Sequence, residues 1–258
     1  MTILKRNKIN TLLVNCPESP ILTATWLEQH GYSRQLVRHY VQHGWLRKLG
    51  NGAFIKLAER PSWSDGVSTL QQQLSLPIHV GGLSSFELQG ALHYLSLSQM
   101  NLVMLYADGD SAKKLPKWFA DAFPTVHYHQ SSLILSRTGI EFKEVWRQHL
   151  WISSLERAIL EILSEVKTNS DYDHACKLLE GLHLLRPVLV QDLLEQCTLN
   201  KVKRLFLFLA EEHQLPVFNR LDLSKIDLGK GKYVIAGGGK YNAKYQLSVP
   251  VLHNLEGA

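Results

Sequence analysis

The stretch that decides the fold is Thr23–Lys56, TATWLEQHGYSRQLVRHYVQHGWLRKLGNGAFIK. It begins with a short amphipathic segment, Thr23–His30, ended by Gly31. Glycine adopts positive φ at no steric cost, so Gly31 can stop a helix and reverse the chain. Ser33 suits an N-cap, because its hydroxyl can accept an orphaned backbone N–H. The spacing predicts a second helix from there to about His43, stopped by Gly44. Ala24, Leu27, Leu36, Val37, Tyr40 and Val41 recur at helical spacing and can close a small core. Trp45–Lys56 alternates around Gly50-Asn51-Gly52, and Asn-Gly suits a tight two-strand turn. Helix, turn, helix and short basic hairpin, in that order, is the layout of a winged helix-turn-helix, which presents its second helix to the DNA major groove.

The polar face of that second helix supports the same reading. Arg34, Gln35, Arg38, His39 and Gln42 lie opposite the apolar stripe and can hydrogen-bond base edges and phosphates, and Ser33 at the helix start joins them as a candidate contact. Arg47, Lys48 and Asn51 would hold the flanking backbone through the hairpin, with Lys56 beside them. Residues 1–60 hold nine Lys/Arg against three acids, a local charge of +6, whereas the whole chain is at +5. The basic excess is therefore confined to this module, as expected of a phosphate-binding surface.

Outward from it, 258 residues suffice for one large or two to three small domains. The expected division is a winged helix over 1–60 and a mixed α+β region over 61–258, with a sub-boundary near 150. No apolar run reaches the roughly 18 residues of a membrane span, and Met1–Asn10 lacks the apolar stretch of a signal peptide. Cys16, Cys176 and Cys197 are scattered, which points to reduced buried thiols in a cytoplasmic protein.

Lys5–Asn15 is the expected first helix. After Pro61-Ser62, Trp63, Val67, Leu70 and Leu74 mark a helix that stops before Pro77. Pro77–Val80 is a short strand, and Leu83–Leu95 a helix with Phe86, Leu92 and Leu95 buried. Asn101–Tyr106 is an apolar interior strand and Asp108-Gly109-Asp110 a turn. A short helix at Pro116–Phe123 precedes strands at Val126–His129, Leu133–Leu135 and Ile140–Trp146. Ser153 and Glu156 stand at capping-box spacing. They would open a helix with Leu155, Ile159, Ile162, Leu163 and Val166 in its stripe. Further helices are expected at Asp173–Leu182, Pro187–Cys197 and Asn200–His213. Strands at Lys232–Ala236 and Tyr245–Pro250, joined as a hairpin through Gly237-Gly238-Gly239, end the chain.

The candidate chemistry is thin. Gly229-Lys230-Gly231-Lys232 and Gly237-Gly238-Gly239-Lys240 lack the Ser/Thr and the following helix of a phosphate-binding loop. Asp108 and Asp110 could hold a divalent cation, yet Asp-Gly-Asp after a strand is ordinary turn chemistry. His127/His129 and His39/His43 have ligand-like spacing without a completing carboxylate or thiolate nearby. There is no nucleophile elbow and no activated cysteine. No catalytic residue, metal or cofactor is expected. Lys201, Lys203 and Arg204 form a basic edge on the helix Asn200–His213; with Lys230, Lys232, Lys240 and Lys244 they make a second candidate positive patch.

Several motifs together resemble a known family. They are the module Leu22–Lys56, the segment GLSSFELQG at 82–90, SLERAILE at 154–161, the basic helix 200–206, and LGKGK at 228–232 with GGKY at 238–241 and LSVP at 247–250. Their order is similar to that of the AbiEi-like antitoxins of bacterial type IV toxin–antitoxin, or abortive-infection, systems. Leu155 stands where many relatives have proline, and the helix start survives that change. The resemblance implies a regulator that represses its own operon by binding repeats upstream of it, and that counteracts a nucleotidyltransferase-like toxin without a stable complex. It further implies that positive residues of the C-terminal region, here Lys201, Lys203, Arg204, Lys230 and Lys232, serve antitoxicity. The rival reading is a stand-alone winged-helix transcriptional regulator whose C-terminal region senses a ligand or a partner.

Overall fold

A computed structural model describes residues 8–12, 17, 19–91, 102–108 and 114–251. The chain is mixed α+β and divides into two compact units: residues 1–78 with 111–127 and 142–151, and residues 79–110, 128–141 and 152–258. No single cut reproduces this division, because the unit that holds the winged helix also takes in two later segments.

In the first unit, helix α1 occupies residues 8–12. Strand β1 (Ile21–Thr23) leads into α2 (Ala24–Gln29), and α3 (Arg34–Gln42) follows. The hairpin consists of β2 (Leu46–Gly50) and β3 (Ala53–Lys56). Sequence reasoning did not assign β1; it pairs antiparallel with β3, giving the sheet order β1-β3-β2. Ser33 caps α3 as expected by accepting from Leu36 N, and Gly31 and Gly44 both have positive φ where the helices end. Thr23, to which sequence reasoning gave no cap role, caps α2 by accepting from Trp26 N. Ile9, Leu12, Leu22, Leu27, Tyr32, Val37, Tyr40 and Leu46 form the small core.

Helix α4 (Trp63–Ser68) continues as a π-helical stretch, Thr69–Gln73. The π turn directs three glutamines at backbone edges. Gln71 bonds both the N–H and the carbonyl of Trp151, Gln72 donates to the His149 carbonyl, and Gln73 bonds Thr23 N and Ile21 O along β1. Amide side chains thus satisfy backbone groups that would otherwise lack partners.

The chain then builds β4 (Ile78–Val80), α5 (Gly82–Leu88), β5 (Val103–Asp108), α6 (Lys117–Ala122), β6 (Val126–Ser131), β7 (Ile140–Val145) and β8 (Gln148–Ser153). The five strands run in the order β6-β5-β4-β8-β7, so β5 is interior as its apolar run requires. Helix α5 is shorter than the expected Leu83–Leu95; Leu92 and Leu95 lie outside the described residues, as does Asp110. Leu133–Leu135 is not a strand: Leu133 and Ile134 are core residues on irregular backbone, so their apolarity reflects burial rather than pairing.

The second unit's core is helical, from α7 (Leu155–Ser164), α8 (Asn169–Glu180), α9 (Pro187–Gln196) and α10 (Asn200–Glu212). The N-cap of α7 is Ser154, which accepts from Arg157 N. The capping box expected from Ser153 and Glu156 does not form. Ser153 donates to Glu161 instead, and Glu156 pairs with Arg186. The chain closes with β9 (Tyr233–Val234), β10 (Lys240–Asn242) and β11 (Leu247–Val249), in the order β10-β11-β9. Because β9 and β11 are parallel, Gly237-Gly238-Gly239 is not a hairpin turn but part of the connection that carries the chain past β11. All three glycines have positive φ, which permits that path.

Candidate nucleic-acid interface

Helix α3 presents two chemically distinct faces. Val37 and Tyr40 are buried, Leu36 and Val41 half-buried, and Arg34, Gln35, Arg38 and Gln42 exposed. The four exposed residues span about a 100° arc at the roughly 100° per residue of an α-helix, so they form one continuous polar surface. Arg38 is the long cationic side chain at its middle. Arg34 stands at its edge, where its Nε lies 2.9 Å from Glu28 Oε1 across the turn; both groups are exposed and the pair is weak.

Two predicted contacts are placed differently from the rest. The Ser33 hydroxyl is engaged as the helix cap, though its residue is exposed at the helix N-terminus. His39 is half-buried and stacks on His43 with ring centroids 3.9 Å apart, in an aromatic cluster that includes Trp45. It flanks the polar surface rather than projecting from it.

The hairpin carries Arg47, Lys48 and Asn51, all exposed. Arg47 donates from Nη2 to the Glu59 carbonyl at 3.1 Å, which fixes its direction. Gly50 closes β2, and a Cβ there would lie 2.6 Å from Trp118 Cβ on α6. The wing is thus seated on a helix far along the chain, an interaction that no local pattern announces.

The second predicted patch separates into buried and exposed members. Lys230 and Lys232 are exposed, and Lys201 is half-buried with Nζ donating to the Val166 carbonyl. Lys203 and Arg204 are buried, Arg204 at 2% exposure, so they do not form the surface edge expected of them. For Arg204 the reason is a set of acceptors brought from elsewhere. Arg204 donates to the carbonyls of Leu228 at 2.8 Å, Gly229 at 2.8 Å, Gly231 at 2.6 Å and Tyr245 at 3.3 Å. It binds the 228–231 loop from beneath.

A buried ionic network, unassigned from the sequence, sits at the start of α7. Glu161 and Arg157 are each 1% exposed. Glu161 accepts from His79 Nε2, Gly82 N, Ser153 Oγ and Arg157 Nε, at 2.8–3.0 Å. Arg157 also donates to the carbonyls of Ser136 and Thr138. The i, i+4 spacing of Arg157 and Glu161 was visible; that both point inward was not.

Among the described residues no group of three His, Cys, Asp or Glu side chains is arranged to hold a metal ion, and no helix is long and apolar enough to cross a membrane. A cavity of about 110 Å³ lies against Leu83, Met104, Tyr106, Ile162, Glu165, Val166, Asp171 and His174.

A family model described as transcriptional regulator, AbiEi antitoxin, type IV toxin–antitoxin system matches residues 101–250. A second, described as the N-terminal domain of that transcriptional regulator and antitoxin, matches residues 5–97. No curated protein sequence matches the chain. Among solved structures, the crystal structure of the Rv2827c protein from Mycobacterium tuberculosis is similar, with a TM-score of 0.59 and 14% identity over 95% of this chain and 90% of that one. At that identity the likeness speaks for the fold alone.

Proposed function

The chain belongs to the AbiEi family of transcriptional regulators and antitoxins of type IV toxin–antitoxin systems, and from that premise we propose that it represses its own operon while counteracting a nucleotidyltransferase-like toxin in the cytoplasm. The observation that carries the DNA half is the exposed arc Arg34, Gln35, Arg38 and Gln42 on a capped helix beside a basic wing. In this reading Arg38 and Gln35 read bases of inverted repeats upstream of the operon, and Arg34, Arg47, Lys48 and Asn51 hold phosphates. Ser33 meets the backbone at the helix N-terminus, and His39 supports the surface from its flank. Antitoxicity is assigned to residues beyond the winged helix, with Lys201, Lys230 and Lys232 as the accessible members of the C-terminal basic set and Lys203 and Arg204 acting from below. Neither family description names a catalytic activity.

The rival reading, a stand-alone regulator with a ligand-sensing C-terminal region, needs a chamber for the ligand. The cavity against Leu83, Met104 and Tyr106 is a place among the described residues where such a ligand could be sought. The test is growth of cells that express the neighbouring toxin gene alone, with this chain, or with its Arg34→Ala/Arg38→Ala variant, alongside gel shifts of the upstream DNA. Rescue by both forms with a shift by the first only is expected. Absence of rescue removes the antitoxin half; absence of a shift removes the repressor half.

A further inference from the structure

We propose that the outward face of the C-terminal sheet β10-β11-β9 binds single-stranded nucleic acid, with Tyr241 stacking on a base and Lys230, Lys232 and Lys240 contacting phosphates. The inference deepens the antitoxin reading, on which it rests only in giving a ligand class to the basic C-terminal surface.

Strand register makes the face. Tyr241 pairs with Ser248, and Ser248 with Val234, so the three side chains line up across the sheet on one side. The neighbouring row, Asn242, Leu247 and Tyr233, has Leu247 buried in the core, which puts the Tyr241 row toward solvent. Tyr241 is 45% and Val234 59% exposed, a combination of aromatic and aliphatic surface with no core to fill. Lys232 sets its Nζ over the Tyr241 ring, 5.3 Å from the centroid, so a base would stack on the ring's other face or displace this flexible side chain.

The charge around the row is one-signed. Residues 225–244 contain five lysines and a single acid, Asp227. Lys225 pairs with Asp222 and Lys244 with Glu211. Among the described residues Lys230, Lys232 and Lys240 have no carboxylate partner, and all three are exposed. The backbone on either side of Lys230 is held firmly: Arg204 grips the carbonyls at 228, 229 and 231 from below. Lysines displayed on a fixed loop lose less freedom on binding than lysines on a loose one. Gly238 also matters, because a Cβ there would meet Val234 Cγ1 at 3.0 Å and Ser248 Cβ at 3.5 Å; the glycine connection lies over the Val234–Ser248 part of the row, and Tyr241 is its open end.

An aromatic on an open sheet face with lysines around it fits unpaired bases and their backbone, since stacking needs base faces that a duplex hides. An acidic protein surface would use the lysines and leave Tyr241 without a role.

The test is fluorescence anisotropy with labelled twenty-nucleotide oligo-U RNA and oligo-dT DNA, using the full chain with excess unlabelled duplex to occupy the winged helix. The variants are Lys230→Ala/Lys232→Ala/Lys240→Ala, Tyr241→Ala and Tyr241→Phe, each checked for an unchanged melting profile. We expect the triple variant to weaken binding at least about tenfold and to lower the salt slope by about two, at roughly 0.7 per phosphate on a single strand. Tyr241→Ala should cost about tenfold and Tyr241→Phe little, because the ring rather than the hydroxyl stacks. Tighter binding of RNA than DNA would add a 2′-hydroxyl contact, and equal binding would mean backbone and base faces alone; either supports the proposal. No binding by the wild-type chain, or equal binding by all variants, overturns it. Loss of growth rescue in the triple variant when the wild type binds neither strand would also overturn it while sparing the antitoxin reading; the lysines would then meet an acidic protein.

Discussion

A carboxylate stays charged in a protein interior only if its lone pairs are used, and Glu161 uses them on four donors. Burial alone would raise its pKa; His79, Arg157 and the Gly82 N–H outweigh burial and hold it below the usual carboxylate value. Glu161→Ala leaves Arg157 buried without its counter-charge, so we expect a loss of about 3–5 kcal/mol in urea denaturation. A loss under about 1 kcal/mol would show that the network is not what ties β4, β8 and α7 together. Glu156 gives a titratable version of the same effect. Burial pushes its carboxyl up, but the Arg186 side chain and N–H pull it further down, to about 2, from an ordinary 4.5. A depressed folded pKa stabilises the fold above the unfolded value, and that contribution fades as pH falls through the folded one. The melting temperature should therefore hold at pH 5–7 and drop between about pH 4.5 and 2, with a shallower acid decline in Glu156→Gln. An identical acid decline in that variant would remove Glu156 from the explanation.

Elements divide into those announced locally and those made by distant partners. Helix α3 belongs to the first kind: Gly31, Ser33, the apolar spacing and Gly44 all lie within fourteen residues, so its span and exposed arc were legible. Its function at this scale is testable. Arg38→Ala should weaken operator binding by about 1–3 kcal/mol if Arg38 reads a base, and should relax preference at that base pair. Lys48→Ala, on the wing, should weaken all duplexes alike and reduce the salt slope by about one. A loss at one base pair only would contradict the wing role. The wing's seat belongs to the second kind. Gly50 looked like turn chemistry, yet its lack of a side chain is what admits Trp118. Gly50→Ala should cost about 1–3 kcal/mol by overpacking, seen as a lowered denaturation midpoint. Arg204 was misread for a similar reason. On a helical wheel it flanks the stripe, but its carbonyl partners lie 24 to 41 residues further on, where no helical periodicity reaches. Ser153 and Glu156 had capping-box spacing, but the box needs the chain to enter the helix at Ser153, and it enters at Ser154.

At the scale of the whole molecule, chain order and compact units do not coincide. The winged helix occupies the start of the chain, but its unit also contains residues 61–78, 111–127 and 142–151. Within that unit Trp118 packs at Gly50, and Gln73 bonds the backbone of β1. A chain that begins at residue 61 keeps Trp118, Gln73 and the rest of those segments while losing what they pack on, so it exposes apolar surface and unpaired amides. We expect this deletion to melt well below the full chain and to aggregate, whatever its antitoxicity. Its failure to rescue growth would then report misfolding rather than function. Point substitution separates the two. Arg34→Ala/Arg38→Ala/Lys48→Ala changes only exposed side chains, so it should melt with the wild type, lose the operator shift and still rescue cells from the toxin. If the triple variant folds and loses rescue as well, antitoxicity draws on the DNA-binding surface, and the assignment of one activity to each end of the chain fails. If the deletion is soluble and melts like the full chain, the segments 111–127 and 142–151 do not need the winged helix, and a cut near residue 60 is a true domain boundary.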